Sequence, residues 1–291
     1  MATVDINPTY SAIYGELVLA LYPILIKSVP TTLITQALAR FSVFPVLAAS
    51  LGPWSEIREA WGTPGAAAFS AAHGLLNLVH VGASYLSYQD LPAGSAVALF
   101  YTYPIMILIG RALFFDEVLP VHAVLFFAMA LIGTYLVATS QHEEAREPEK
   151  KSQVLRGIGA ALTAAFTETL IYFFVRGHAE KSPFYTIQHL YPAGLLALLA
   201  YGVANPRQVD SRRGTWMPLI AFNALLGFSG YLLRFFSIPR VSTIVFSMLS
   251  FIGVMAAYVW GMIFAGEVPS MKGFAGGGLI AGAIAGLRYF S

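Results

Sequence analysis

The sequence predicts an all-α membrane protein: ten transmembrane helices in two inverted five-helix repeats. Three observations carry that prediction. Of 291 residues, 57% are hydrophobic and 11% charged, against roughly 25% charged in an average soluble domain, so the surface of a soluble fold cannot be covered. Apolar stretches long enough to cross about 30 Å of hydrocarbon recur ten times along the chain. Landmark residues then return at an offset of about 150 residues, near half the chain length.

The stretches run over residues 9–29, 31–52, 65–87, 92–114, 120–139, 154–176, 183–203, 216–237, 240–264 and 269–290. The chain begins MATVDINPTY, with Asp5 and no Lys or Arg, unlike the basic start of a signal peptide, so the first stretch is expected to be retained. Ser28, Val29 and Pro30 divide it from the second. Between the fifth and sixth stretches, His142 to Arg156 holds eight of the 32 charged residues and reads as a solvated linker. Residues 1–140 are therefore expected to form the first repeat, 141–153 the charged linker and 154–291 the second repeat.

The repeat is read from pairs of landmarks. Asp116-Glu117 closes the fourth stretch and Gly266-Glu267 the ninth, 150 residues on; Lys27 and Arg176 close the first and sixth. Arg40 falls against His189, and Pro92 against Pro239. With an odd number of spans in each half, the second half enters the membrane from the opposite side, the inverted architecture in which a solute site sits between repeats near the midplane. Lys and Arg divide seven to nine between the two sides, so the positive-inside rule sets no orientation.

A charge inside hydrocarbon is costly, which makes each ionisable residue within a span a functional candidate. Glu16 lies mid-way along the first stretch and Glu168 along the sixth, so two carboxylates from opposite halves are expected to face one cavity, each binding a proton or a cationic solute. In the third stretch His73, Asn77, His80, Ser84 and Ser87 alternate steps of four and three, a polar stripe down one helix face; Asn223, Gly227, Gly230 and Arg234 repeat those steps in the eighth. The stripes serve either solute contact and proton relay or hydrogen bonding between helices. Arg40, ten residues into its span and one turn after Gln36, is expected to pair with an acidic group or bind a carboxylate or phosphate. Lys27 and Arg234 lie nearer span ends, where long side chains reach the interface, and snorkelling is the expected behaviour of both. Tyr101 and Tyr103 flank Thr102, and Tyr185, Gln188 and Tyr191 step by three, offering rings and hydroxyls to an organic solute.

Other classes are excluded. Without Cys the chain has no disulfide, thiolate metal site or cysteine nucleophile. No metal site is expected, because His73 and His80 stand two helical turns apart with no acidic or Cys partner nearby. A net charge of +2 gives no reason to expect nucleic acid as a partner. No G-x-x-x-x-G-K-[ST] sequence is present, so energy must come from gradients rather than a P-loop. No nucleophile elbow lies in a span, so an intramembrane enzyme using His73, His80, Glu168 or Asn223 is a remote alternative, and neither enzymatic activity nor a cofactor is expected. The last stretch carries Gly278, Gly282 and Gly286 at four-residue steps, a face fit for close packing against another helix of this chain or of a second copy in a homodimer.

At this point the chain resembles the drug/metabolite transporter superfamily, in its two-repeat EamA-like branch. The likeness rests on Tyr22-Pro23-Ile24-Leu25-Ile26-Lys27, Ala39-Arg40-Phe41, Leu91-Pro92-Ala93-Gly94, and Tyr103-Pro104 followed by Asp116-Glu117, with an echo at Glu267. It covers nearly the whole chain and is closer in the first half. In the second half Val254 stands where Pro104 stands in the first, and His189 where Arg40 stands. The resemblance implies ten helices in inverted repeats, cytoplasmic termini and a central cavity lined by the first, third, fourth, sixth, eighth and ninth. It also implies a multi-pass secondary transporter of a small organic metabolite, with the cell membrane as the expected location and an organelle membrane as the alternative. Proton-linked export of an amino acid or related solute is the preferred expectation. The alternative is an anion antiporter for sugar phosphates or nucleotide sugars, with Arg40, Lys27, Arg176 and Arg234 gathered round a phosphate.

Overall fold

A computed structural model describes residues 6–91, 93–115, 118–140, 151–266 and 268–290. The landmarks Pro92, Asp116, Glu117 and Glu267, the opening five residues, and the linker from 141 to 150 lie outside the described residues. Among the described residues the chain is helical throughout, with no strand, and nine helices are long and apolar enough to cross a membrane. They are Pro8–Ser28, Leu33–Leu51, Ala66–Asp90, Ser95–Phe114, Val121–Ser140, Lys151–Gly177, Pro183–Ala204, Arg213–Ser237 and Thr243–Phe264. The expected tenth stretch is also a helix, Met271–Phe290, but it falls outside those nine because glycine and Lys272 dilute its apolar character.

Several of these spans are broken near their middles. The first consists of α1 (Pro8–Leu19) and α2 (Tyr22–Ser28), and α3 is Leu33–Leu51. A short helix α4 (Trp54–Gly62), which the sequence reading left as a connection, precedes α5 (Ala66–Asp90). Gly65 between them takes φ 82°, open to glycine at little cost. The fourth span divides into α6 (Ala93–Phe100) and α7 (Tyr103–Phe114), followed by α8 (Val121–Ser140) and α9 (Lys151–Gly177). The seventh divides into α10 (Pro183–Leu190) and α11 (Pro192–Ala204). In the eighth, a π-helical turn at Asn223–Gly227 joins α12 (Arg213–Phe222) to α13 (Phe228–Ser237). The ninth is α14 (Thr243–Ser250) and α15 (Ile252–Phe264), and α16 (Met271–Phe290) ends the bundle. Pro23, Pro104 and Pro192 each begin the second piece of a broken span, where the missing N–H leaves a carbonyl of the preceding turn without its helical donor.

Residues 151–153 of the expected linker are helical. Helix α9 starts at Lys151, so Lys151 to Arg156 form its first turns, and Arg156 is held by two hydrogen bonds to Asp90 at the end of α5, at 2.6 and 2.8 Å. That bidentate pair fixes the register of two long helices that pack along their length. At another corner, Asp210 ties the loop before α12 to the start of α3. It accepts from Arg212, Thr215 and Thr31, while its own N–H donates to the Thr35 hydroxyl at 2.8 Å. The bonds from Arg212 hold the Asp210 carboxyl well below the usual carboxylate range.

The glycine face of α16 is used within the chain. A Cβ on Gly133 of α8 would come 2.6 Å from the Gly276 carbonyl oxygen, and one on Gly276 would come 2.5 Å from that of Gly133. The two backbones therefore touch, whereas Gly278 faces open space.

Two outcomes follow for stability. Gly133→Val should lower the melting temperature of the detergent-solubilised protein, by an overpacking cost of about 1–3 kcal/mol, because backbone has nowhere to move. Gly278→Ala should be neutral or stabilising, as expected of alanine in an open helical position; equal losses in the two variants would refute the α8–α16 contact. For Asp210, a lowered folded-state pKa means stability that is complete above the unfolded value of about 3.9 and declines as pH falls below it. The gap in melting temperature between wild type and Asp210→Asn should therefore be widest near neutrality and narrow below that pH.

Candidate functional site

Four charged or ionisable side chains from four different spans meet in the middle of the bundle. Glu16 comes from α1, His80 from α5, Glu168 from α9 and Arg234 from α13; all are buried. Arg234 sits between the two carboxylates, with Nη1 on Glu16 Oε1 and Nη2 on Glu168 Oε1 at 2.7 Å. His80 Nε2 continues the chain to Glu168 Oε2 at 3.3 Å. Tyr101 donates to Glu16 Oε2 at 3.0 Å; Tyr103 accepts from Arg234 at 3.0 Å and donates to Glu16 Oε1 at 3.4 Å. Arg234 thus does not snorkel, against the expectation from its place near a span end. The π-helical turn and the corner after Ser237 set α13 beside α1 with Arg234 at the depth of Glu16, and two carboxylates there bind it more strongly than the interface could.

The geometry around His80 constrains a proton. Its Nδ1 lies 3.2 Å from the Ala164 carbonyl and 3.3 Å from the Thr167 hydroxyl, whose own hydrogen is directed to the carbonyls of Thr163 and Ala164. Both neighbours are acceptors, so Nδ1 carries hydrogen. A neutral ring then presents the Nε2 lone pair to a carboxylate oxygen, a repulsive contact unless a proton lies between Nε2 and Glu168.

Arg40 lines the same cavity from α3 and is fully buried, yet no carboxylate stands within ion-pair distance among the described residues. The Tyr191 hydroxyl accepts from it at 3.1 Å, and its guanidinium lies over the rings of Tyr231 at 4.3 Å and Tyr22 at 4.9 Å. Aromatic faces offset part of the desolvation of a cation; they do not neutralise it. Nearby, the buried Tyr85 hydroxyl borders the cavity beside the Arg40 guanidinium. The cavity enclosed by these groups is about 40 Å³, space for a water molecule and well below the roughly 300 Å³ of a small-solute pocket.

The remaining candidates stand apart from this cavity. His73 is packed between Phe69 and Phe174, with ring centres 4.1 Å from each, and Nδ1 on the Phe69 carbonyl. Asn77 donates to the Leu190 carbonyl at 2.9 Å, at the break in the seventh span. Gln188 bridges Trp61 of α4 and the Pro45 carbonyl. Asn223 accepts from Tyr22 at 2.8 Å and donates to Leu219 at the π turn. The cationic cluster imagined round a phosphate is not assembled either: Arg176 donates to the carbonyls of Ile238 and Val241, and exposed Lys27 to Leu91. Those carbonyls lie at corners between helices, where a cation at a span end finds acceptors without entering the core. The sequence reading missed Tyr85, Tyr88 and Tyr231 as lining residues; Tyr88 continues the His80–Ser84 step of four, and Tyr231 lies one turn before Arg234.

The fold and this buried ionic site are those of a multi-pass integral membrane protein. Residues 155–289 match the EamA-like transporter family, of the drug/metabolite transporter superfamily, so the resemblance carried by the short motifs is shown. The match falls in the second half, whereas the motifs set the closer likeness in the first. A relative, an uncharacterized transporter YxxF of Bacillus subtilis (strain 168), is 23% identical over 187 residues. That alignment covers 64% of this chain and 58% of the relative, so the chain spans under two thirds of it. A solved crystal structure of a protein 15% identical superposes with a TM-score of 0.75 over 98% of this chain and 99% of the other, a likeness of fold.

Removing the shared cation should be severe. Arg234→Leu leaves two buried carboxylates unpaired, and a loss of about 3–5 kcal/mol is expected in thermal or denaturant unfolding. Adding Glu16→Gln to that variant should restore part of the loss, because one orphaned charge is gone; no recovery would contradict the bridging role of Arg234.

Proposed function

We propose that this protein is a secondary active transporter that exports a small zwitterionic organic solute, such as an amino acid, in exchange for protons. In this reading ten spans form two inverted five-helix repeats, residues 1–140 and 154–291 joined by a charged linker, and rock about the central cavity in the cell membrane. The observation that carries it is the contact between His80 Nε2 and Glu168 Oε2, which requires a proton in a buried site. With that proton in place the Glu16, Arg234, Glu168 and His80 group is neutral as a unit. Its release leaves one uncompensated negative charge, fit for a solute ammonium.

Arg40 supplies the other half of zwitterion recognition, because a solute carboxylate would provide the anion it lacks. The Tyr85 hydroxyl, beside Arg40, adds a polar contact. Proton and ammonium compete for one carboxylate, so solute leaves only as a proton enters, the linkage an exchanger needs. Glu16 acts as the fixed counter-ion that keeps Arg234 in place. The cavity is too small for such a solute, so binding demands an opening motion, and the breaks at Pro23, Pro104 and Pro192 supply hinges. The anion antiporter is the weaker reading, because Lys27 and Arg176 are engaged at corners away from Arg40.

Reconstituted vesicles loaded with a panel of amino acids decide the matter. An inward-directed proton gradient should accelerate efflux of at least one of them in the wild type. Glu168→Gln, which removes the carboxylate for which proton and ammonium compete, should abolish that acceleration and weaken solute exchange without a gradient. Unchanged gradient-driven efflux in Glu168→Gln sinks the proton assignment, and gradient-independent exchange of phosphate esters would favour the antiporter.

A further inference from the structure

On the outer side of the first and ninth spans, a groove of about 240 Å³ runs between α2 and α15. Its walls are apolar, with Ile24 and Phe264 prominent, and Lys27 and Ser28 stand at its outer end. Ala20, Pro23 and Ala257 line this groove and also line the central cavity, so the wall between the two spaces includes two methyl groups and one proline ring.

Two independent features converge on that wall. Along α15, Gly253 borders the cavity, Ala257 borders both spaces and Gly261 borders the groove. At four-residue steps these three share one helix face and cover about 12 Å at 1.5 Å per residue, a track with almost no side chain. Opposite it, the helix is broken. Leu21 bonds back to Val18 rather than continuing the α-helical pattern, and Pro23 has no N–H to offer the Leu19 carbonyl. Between α2 and α15 the wall therefore presents small groups, and the break before α2 is where that helix can turn.

We propose that this groove is a lateral portal through which the apolar part of an amphipathic organic solute passes between the lipid and the central cavity. The inference rests on the transporter reading and adds the substrate class: a polar head that reaches Arg40 and Glu168, and an apolar tail that lies in the groove. Groove and cavity together approach the roughly 300 Å³ lower bound for a small-molecule pocket, which the cavity alone does not.

The chain has no cysteine, so Val97→Cys, which lines the cavity and not the groove, is a clean reporter in proteoliposomes. Two probes distinguish the routes: pyrene maleimide dissolved in the bilayer, and a membrane-impermeant sulfonated maleimide applied from each face. Labelling of Val97→Cys by the lipid-dissolved probe is expected, and Ala257→Phe should slow it at least tenfold while changing labelling from water less than twofold. Ala257→Leu should give an intermediate rate and preserves a test if the larger plug prevents folding. No labelling from lipid, as when a resident lipid tail seals the groove, or a rate indifferent to both plugs, overturns the portal. Labelling from lipid that the plugs block, with none from water at either face, upholds the portal and counts against alternating access to water.

Discussion

Two carboxylates from opposite halves of the chain share one arginine in the middle of the bundle, and the arrangement of the spans depends on it. Burying any one of these charges alone would cost several kcal/mol, and a membrane interior offers no water to relieve it. Glu16, Glu168 and Arg234 are tolerable only if α1, α9 and α13 come together at one depth, since each helix brings one of these three buried charges. The charges thus act as a registration device. Van der Waals contact between apolar helices in lipid is weakly specific, and a slip of one turn along α13 would carry Arg234 about 5.4 Å from its partners. Tyr101 and Tyr103, from the break between α6 and α7, extend the constraint to a fourth element by taking up the remaining lone pairs of Glu16.

Helix breaks are the complement of this device. A continuous helix satisfies its own backbone and offers the interior only side chains, whereas a broken one exposes carbonyls that need donors. Asn77 donates to Leu190 at the break of the seventh span. Asn223 donates to Leu219 where the π turn begins. These amides, which the sequence marks as polar residues in apolar surroundings, serve backbone carbonyls at helix breaks, Asn77 across to another span and Asn223 within its own. A polar stripe on a helix therefore has two uses, and the neighbouring helix decides between them. In α5 the stripe divides: His80 and Ser84 border the cavity, Asn77 serves the backbone of α10, and His73 sits in an aromatic cluster.

The class of fold was legible from composition, because eleven charged residues per hundred cannot solvate a soluble surface. Nine spans were legible from apolar length. The last was harder, since α16 gains its contact with α8 from absent side chains, and the same glycines that let two backbones touch lower its hydropathy. Breaks followed by a proline carry a sequence signal; that of the ninth span, with Phe251 bonding back to Met248 and Val254 where proline stands in the fourth, carries none. Within the site, Glu16, Glu168 and Arg40 stood out as charges far from span ends. Arg234 did not, because distance along the sequence from a span end is not depth in the bundle. Nor did Tyr85, Tyr88 and Tyr231: Tyr88 follows the His80–Ser84 step and Tyr231 lies one turn before Arg234, while the place of Tyr85 follows from how helices pack.

Charge balance links the cavity to its small size. Counting the proton between His80 and Glu168, the group of Glu16, Glu168, Arg234 and His80 is neutral as a unit, and Arg40 stands as an excess cation among the described residues. An excess charge in low dielectric is stable only while polarisable faces surround it, and four aromatic side chains do so within 4.3 to 5.8 Å. Those same rings fill the space a solute would need, so the compact cavity and the sheltered cation are one arrangement. Opening the cavity must draw the rings of Tyr22 and Tyr231 away from Arg40, and an opened state without an anion would leave that guanidinium poorly compensated. The cost of opening is thereby tied to the presence of an anionic group, a coupling that follows from how Arg40 is housed.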